Sequence, residues 1–443
     1  MKTTFLILLN KAVTTVCNLF GRDGSVFPAS LVRPLDKDIL EKIKYPKYVI
    51  GVTGSSGKGS TTSMIAHILE DNGLKVVWNK TGSNVVNGTT TLILNNTKTF
   101  SHQMDCDVLL LEMDESYIKE TFKGNTLTHL VLTNMTRDQP SRNGEPEIIL
   151  QKIMNSMGNA HLIYNADDPF VNRVSLSNNE KTSYGIDKNK YSIKKPYSMN
   201  VDAAYCPICK NKLKYSFYHY GHLGGYSCVN KDFKREIQYL ATDVDLENLS
   251  FKINDQVIHL NKDAFFAVYY TLAAYTLCKV IGISDEGIIK ALNEDVMESK
   301  RLKILHLDNR DVEMLESKNE NNLSYLQSLN YINNYNGKKT IILGFDNVSR
   351  RYKFNDISWL YDVDFEILDM DNIDKIFCIG RFRYDVYNRL ILAGIKEDKL
   401  ILVDDIKSII SLVKEKSTGM IFTMVCFDMT AVLKKLIMED NND

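Results

Sequence analysis

The stretch Tyr48-Val-Ile-Gly-Val52-Thr53-Gly54-Ser55-Ser56-Gly57-Lys58-Gly59-Ser60-Thr61-Thr62 decides the fold. A short apolar run, Tyr48 to Val52, enters a Gly/Ser loop, and from Ser60 to Leu69 the apolar residues recur at helical spacing. The order is strand, loop, helix. Glycines in such a loop let backbone N–H groups approach phosphate oxygens, the helix dipole favours negative charge, and Lys58 reaches the outer phosphates. Gly54, Ser55, Ser56, Gly57, Lys58, Gly59, Ser60 and Thr61 are therefore the nucleotide-binding candidates, with a hydroxyl from Ser60 or Thr61 placed to ligate magnesium. The ordinary Walker pattern is not met, because Val52 stands where its first Gly belongs and Gly59 follows the lysine. A plain Gly/Ser turn is the alternative. Against it stands Leu109-Leu-Leu-Glu112-Met-Asp114, an apolar strand ending in carboxylates suited to hold the ion on a nucleotide. Lys58 is expected to be an exposed cation whose removal leaves the fold intact.

Further apolar runs at Val76 to Trp78, Val108 to Met113, Leu130 to Thr133 and Leu162 to Tyr164, with helical patterns between several of them, predict an α/β domain with a largely parallel sheet. The reading divides the chain into an N-terminal helical segment (1–44), a central domain (45–300) carrying an insertion at 192–238, and a C-terminal α/β domain (301–443). The last has strands expected near Thr340 to Leu343, Lys375 to Ile379, Leu400 to Val403 and Met420 to Met424, and helices at Tyr384 to Ala393 and Thr430 to Met438. No internal repeat of fixed period and no low-complexity tract interrupts this order.

The 443 residues suit two or three domains. Lys plus Arg total 54 against Asp plus Glu 55, so no global field draws in nucleic acid. Phe5 to Leu9 is too short for a transmembrane segment, and Asn10 and Lys11 cut short any signal-peptide core, so the N-terminus reads as an amphipathic helix. Scattered Cys17, Cys106, Cys278, Cys378 and Cys426 suggest reduced thiols and a reducing compartment. Cys206-Pro-Ile-Cys209 differs, since two thiolates two residues apart in a tight turn hold one tetrahedral ion, and Cys228 follows as the second knuckle of a zinc ribbon should. Lys231 occupies the position that would complete the second pair, leaving His219 or His222 as candidate fourth ligands, or a ribbon that has lost its ion.

The loop 53–62 resembles the ATP loop of the Mur ligase superfamily, which includes the folylpolyglutamate synthases. Asn79-Lys-Thr-Gly82-Ser-Asn84, Thr133-Asn134-Met-Thr-Arg-Asp138-Gln139 with Arg142, and Asn165-Ala-Asp167-Asp168-Pro169 resemble successive motifs of the MurT branch, the ligase-like subunits of lipid II isoglutaminyl synthase. The cysteine segment with Phe233-Lys234-Arg235 is similar to that branch's four-cysteine zinc ribbon. Asp356-Ile-Ser-Trp359-Leu-Tyr-Asp362-Val-Asp364-Phe-Glu366 and Gly380-Arg381-Phe-Arg383-Tyr-Asp385 resemble its C-terminal signature. The resemblance covers about residues 20 to 435 and implies a Mur ligase-like P-loop domain with a zinc-ribbon-like insertion and a Rossmann-like C-terminal domain.

By that resemblance the activity is amidation of the D-glutamate α-carboxylate of lipid II, or a related precursor, to D-isoglutamine. ATP and magnesium would be needed, with Ser60 and Glu112 on the magnesium and Cys206, Cys209 and Cys228 on zinc. Ammonia would come from a GatD-type glutaminase whose incomplete triad is finished by an Asp of this chain, carried over to Asp356 ahead of Asp362 and Asp364. The place of action would be the cytoplasm, at the inner face of the membrane where lipid II is presented. The chain departs from the family pattern at Gly59, Lys231, Ala267, Tyr270, Arg301-Leu-Lys303 and Lys318-Asn-Glu-Asn-Asn322. Two other readings follow from those departures: a stand-alone folylpolyglutamate-synthase-like ligase, and a non-catalytic nucleotide-binding scaffold.

Overall fold

The computed structural model describes residues 1–22, 24–80, 83–138, 145–196, 202–294, 304–317, 321–346 and 356–440. Gly82, Gln139, Arg142, Arg301 to Lys303, Lys318 to Glu320 and the domain boundary expected near residue 300 lie outside them.

Seven strands form the parallel sheet that the apolar runs predict: β1 (Tyr48–Thr53), β2 (Val76–Trp78), β3 (Val108–Glu112), β4 (His129–Leu132), β5 (His161–Asn165), β6 (Lys181–Ile186) and β9 (Tyr239–Asp245). Between β6 and β9 the chain leaves the sheet to make a hairpin, β7 (Lys214–Tyr220) and β8 (Leu223–Ser227). An antiparallel pair, β10 (Ser250–Ile253) and β11 (Gln256–His259), extends the edge to give the order β11-β10-β9-β6-β5-β4-β1-β3-β2. That edge pair was not legible as strands, because Lys252, Asn254 and Asp255 break its apolar runs.

Side chains alternate across this sheet with the period of a strand. Ile50, Val52, Val108, Leu110, Val131 and Ile163 pack beneath helices Lys58–Asp71 and Phe265–Val280. Val49, Leu109, Leu111, Leu130, Leu132 and Leu162 face the other way, toward the N-terminal helix Lys2–Leu19 and helices Val86–Asn95 and Pro146–Met154. With both faces covered, the strands are continuously apolar. A three-layer domain results, with the loop after β1 at the carboxyl end of an inner strand, between β4 and β3.

The C-terminal domain repeats the plan. β13 (Arg310–Ser317), β14 (Lys339–Gly344), β15 (Ile373–Ile379), β16 (Leu400–Leu402) and β17 (Met420–Cys426) run parallel, with β12 (Ile304–Leu307) antiparallel at the edge, in the order β12-β13-β17-β14-β15-β16. Helices Asn322–Asn334 and Arg383–Leu392 cover one face, and Ile409–Lys416 and Phe427–Asp440 the other. Among the described residues no helix is long and apolar enough to cross a membrane.

Candidate active site

Two glycines permit the turn between β1 and its helix. Gly54 has φ +133°, and a Cβ there would lie 2.2 Å from Thr133 Oγ1 and 2.8 Å from the Asn134 carbonyl. Gly57, at φ +81°, is the N-cap of helix Lys58–Asp71. Any side chain at 54 would push the loop off β4. The loop is clasped by the segment after β4: Asn134 Oδ1 accepts from Ser56 N at 2.9 Å, Asn134 Nδ2 donates to Ser56 O at 3.0 Å, and Thr133 Oγ1 donates to Ser56 O at 2.8 Å. Ser55 Oγ accepts from Thr136 N at 3.0 Å. Thr133-Asn134 thus shapes the loop.

Lys58 corrects the sequence expectation. Its side chain is buried, not exposed, and Nζ donates to the Gly54 carbonyl and to Glu115 Oε1, the latter at 2.8 Å. Burial alone would lower the ammonium's pKa, but Glu115 and Asp138 beside it hold it above its ordinary value. Glu115 also accepts from Gly54 N at 3.1 Å. Reaching a phosphate therefore requires Lys58 to exchange these partners. The sequence reading stopped at Asp114 and missed Glu115, whose signal was only its place one residue beyond the strand-end carboxylates.

Glu112 is positioned by the Asn79 motif. Asn79 Nδ2 donates to Glu112 O at 2.9 Å and Glu112 N donates to Asn79 Oδ1 at 2.8 Å, while Asn84 Nδ2 reaches Glu112 Oε1 at 3.3 Å. A Cβ on Gly59 would lie 3.1 Å from Glu112 Oε2. The helix position facing this carboxylate thus carries no hydroxyl. Ser60 is exposed one residue further on, roughly 100° around the helix. Thr61 is buried on the same turn.

The C-terminal domain completes the site from the other side. Asn321 caps helix Asn322–Asn334, accepting from Ser324 N at 2.9 Å, while its amide donates to Ser55 O at 3.3 Å and Asp138 Oδ1 at 3.2 Å. Arg137, three residues past the loop-clasping Asn134, points at two carboxylates of the C-terminal signature: 3.8 Å to Asp356 Oδ2 and 3.5 Å to Asp362 Oδ2. Asp356 precedes and Asp362 ends a short 3₁₀ helix, Ser358–Asp362, pinned by Trp359, which is fully buried against Tyr325 and Phe345. Arg389 braces the segment through the Val363 carbonyl at 2.7 Å and Glu366 at 3.0 Å. Hydrogen bonding from Ser358, its side chain first and its backbone N–H second, holds the Asp356 carboxyl below its usual range against the opposing effect of burial, whereas burial and nearby Asp202 push that of Asp362 up. Asp356 has the most open side chain, 36% exposed against 22% for Asp362, and Asp364 is buried.

The cysteines meet at the base of the hairpin. Sγ atoms of Cys206, Cys209 and Cys228 and a carboxylate oxygen of Asp232 lie within 4.8 Å of one another, Cys209 to Cys228 being 3.1 Å and Cys206 to Asp232 3.6 Å. Backbone N–H groups of Ile208, Cys209 and Asn230 point at the sulfurs. Zn–S bonds of about 2.3 Å arranged tetrahedrally put ligand atoms about 3.8 Å apart, so the set fits such an ion. His219 and His222 do not join it. Both sit at the far tip of the hairpin, about 17 Å along β7 at a strand's rise per residue. There His222 Nε2 lies 3.2 Å from Asp168 Oδ1, and His219 Nε2 donates to the Ile186 carbonyl at 3.1 Å. Asp168 Oδ2 accepts from Met135 N at 2.7 Å, so the tip packs against the loop-clasping segment. At two of the positions that depart from the family pattern, Ala267 is fully buried and the Tyr270 hydroxyl is bonded to Asn261.

A doubly covered parallel sheet with a phosphate loop on an inner strand, closed by a second α/β domain, defines a Mur ligase-like architecture. Residues 52–260 match the Mur ligase middle domain, and residues 318–429 match the MurT ligase C-terminal domain. Among curated relatives, the lipid II isoglutaminyl synthase (glutamine-hydrolyzing) subunit MurT of Staphylococcus aureus (strain COL) is 28% identical, covering 89% of each chain. The subunit of the same name from Streptococcus pneumoniae (strain ATCC BAA-255 / R6) is 25% identical over 98% of this chain and 96% of its own. A pseudomurein peptide ligase type C from Methanothermus fervidus shares the fold, with a TM-score of 0.69, 21% identity, and 91% of this chain and 80% of that chain covered. Along most of its length the chain is thus similar to MurT subunits, with a Mur ligase middle domain match followed by a MurT C-terminal match, which bears out the resemblance read from its motifs.

Proposed function

We propose that this chain is the synthetase subunit of an ATP-dependent, glutamine-fed amidation of the D-glutamate α-carboxylate of lipid II, working with a GatD-type glutaminase. The observation that carries this reading is Arg137, which ties the Asp356 turn to the segment clasping the phosphate loop. A carboxylate is a poor electrophile. Transfer of the ATP γ-phosphoryl group to one of its oxygens gives an acyl phosphate and ADP. Ammonia then attacks the carbonyl carbon, and phosphate leaves as the amide forms. Lys58 and the backbone N–H groups of the loop neutralise the phosphoryl group, and Glu112 holds magnesium with a hydroxyl of the first helical turn, Ser60 being the candidate. The test is reconstitution with lipid II, ATP, glutamine and the glutaminase: one ADP per amide formed supports the reading. Nucleotide binding without turnover would favour the scaffold, and turnover with an added amino acid but not ammonia would favour a folylpolyglutamate-synthase-like ligase.

The insertion is assigned as a structural zinc site of three cysteines, with Asp232 in the place Lys231 cannot fill. Lys231 has φ +60°, a left-handed turn that carries the chain past position 231 and brings the next side chain to the sulfurs. Purified protein is expected to hold one zinc per chain. Asp232→Ala should lower zinc affinity at least tenfold in a chelator competition, while His222→Gln leaves it unchanged. Retention by the first variant or loss by the second would sink the Asp232 assignment.

A further inference from the structure

The N-terminal helix, Lys2–Leu19, is inside out. A surface helix ordinarily turns its apolar stripe to the core and its polar face to water. Here the side against the domain buries Leu6 and Ile7, with Leu9 packed partly against the same core, and its remaining contacts are polar: Asn10 donates to Thr91 O at 3.3 Å and to Asn95 Oδ1 at 2.9 Å, and Lys11 Nζ donates to Thr97 O at 2.7 Å. Thr14 and Thr4 bond inward to Asn95 and His102. The outward face carries Phe5, Leu8, Val16, Leu19 and Phe20, between 50% and 80% exposed. At 100° per residue these fall in one sector of about 120°. Phe27 and Leu31, also exposed, lie on the next helix, Phe27–Val32, which packs against the first.

Five large apolar side chains in one exposed sector exceed what isolated surface hydrophobes require. Charge identifies the occupant. Residues 1–35 hold Lys2, Lys11, Arg22 and Arg33 against the single acid Asp23, in a chain otherwise balanced at 54 and 55. Two copies meeting through this face would oppose like charges across a two-fold axis, whereas anionic headgroups complement them. A helix of 18 residues is about 27 Å long, and it is not apolar enough to span a bilayer. We infer that this helix and the next lie flat on an anionic bilayer surface, with Phe5, Leu8, Val16, Leu19 and Phe20 in the acyl boundary and Lys2 and Arg22 at the headgroups. None of these residues belongs to the phosphate loop or to the segment that clasps it. On the proposed function, it brings that site to a lipid-linked substrate.

The full chain, alone and with its glutaminase, should co-sediment with vesicles of equal phosphatidylglycerol and phosphatidylcholine but not with phosphatidylcholine alone. Leu19→Glu with Phe20→Glu should lower the partition coefficient more than tenfold, and Lys2→Gln with Arg22→Gln by about 25-fold at roughly fivefold per cation. All four side chains sit in exposed positions, and circular dichroism checks folding. If the apolar pair does not fold, the charge pair decides alone. Equal binding to both vesicles, unchanged binding by the folded variants, loss of binding when the glutaminase is added, or a dimer that the apolar pair converts to monomer would each overturn the proposal. Amidation of detergent-solubilised lipid II should survive both pairs, which separates failure of docking from failure of the proposed reaction.

Discussion

Lys58→Ala is expected to lower ATP turnover by about 10²-fold or more, because it deletes the one cation of the phosphate loop that can follow charge on the transferred phosphoryl group. The structure adds a second effect that an exposed lysine would not have. With Lys58 and Glu115 both buried and 2.8 Å apart, the substitution leaves the carboxylate without its counter-ion. Breaking a buried pair from one side costs about 3–5 kcal/mol. Thermal unfolding should therefore shift down together with activity, and the single variant would confuse the two causes. Adding Glu115→Gln removes the orphaned charge while Gly54 N keeps an acceptor. The double variant should recover most of the stability and none of the turnover. Recovery of turnover would mean that Lys58 acts only as Glu115's partner, and unchanged turnover in the single variant would remove the phosphate-site assignment.

Asp356→Asn should lower glutamine-dependent amidation on the order of 10³–10⁴-fold while amidation driven by added ammonium survives. An amide preserves shape but loses the charge that fixes the partner imidazole's tautomer and stabilises its imidazolium. Among the three candidate carboxylates, Asp356 is the most open to a partner, and its other oxygen is held by Ser358 N at 2.9 Å, which fixes its direction. Asp362 shares Arg137 with it and serves as the control, since Asp362→Asn disturbs the same guanidinium from the more enclosed side. If both variants lose glutamine- and ammonium-driven activity alike, the carboxylates act by holding Arg137 at the ATP site. If neither loses anything, and Asp364→Asn is equally silent, no carboxylate of this turn completes the triad.

Much of the molecule is written in local pattern. Tyr48 to Thr53 is apolar enough to be a strand buried on both faces, Gly54 marks a position where a side chain cannot fit and Gly57 a left-handed backbone that favours glycine, and the helix that follows keeps a 3.6-residue period; such signals depend only on near neighbours. The order of the motifs around Asn79, Asn134, Asp168 and Asp356 was legible only through their resemblance to a known family, whereas the Cys-x-x-Cys turn was legible from its spacing. What the sequence could not give is where distant residues meet. His219 and His222 lie between the cysteine knuckles in sequence, yet strand pairing carries them to the opposite end of the hairpin and leaves Asp232 beside the sulfurs. Whether Lys58 faced water or Glu115 depended on where the chain turns after β3, and the terminal helix had a visible amphipathic pattern with no sign of which face would point outward. That was decided by Thr91, Asn95 and Thr97 of a later segment, which offer polar partners only to its polar side and so leave its apolar stripe to the surroundings.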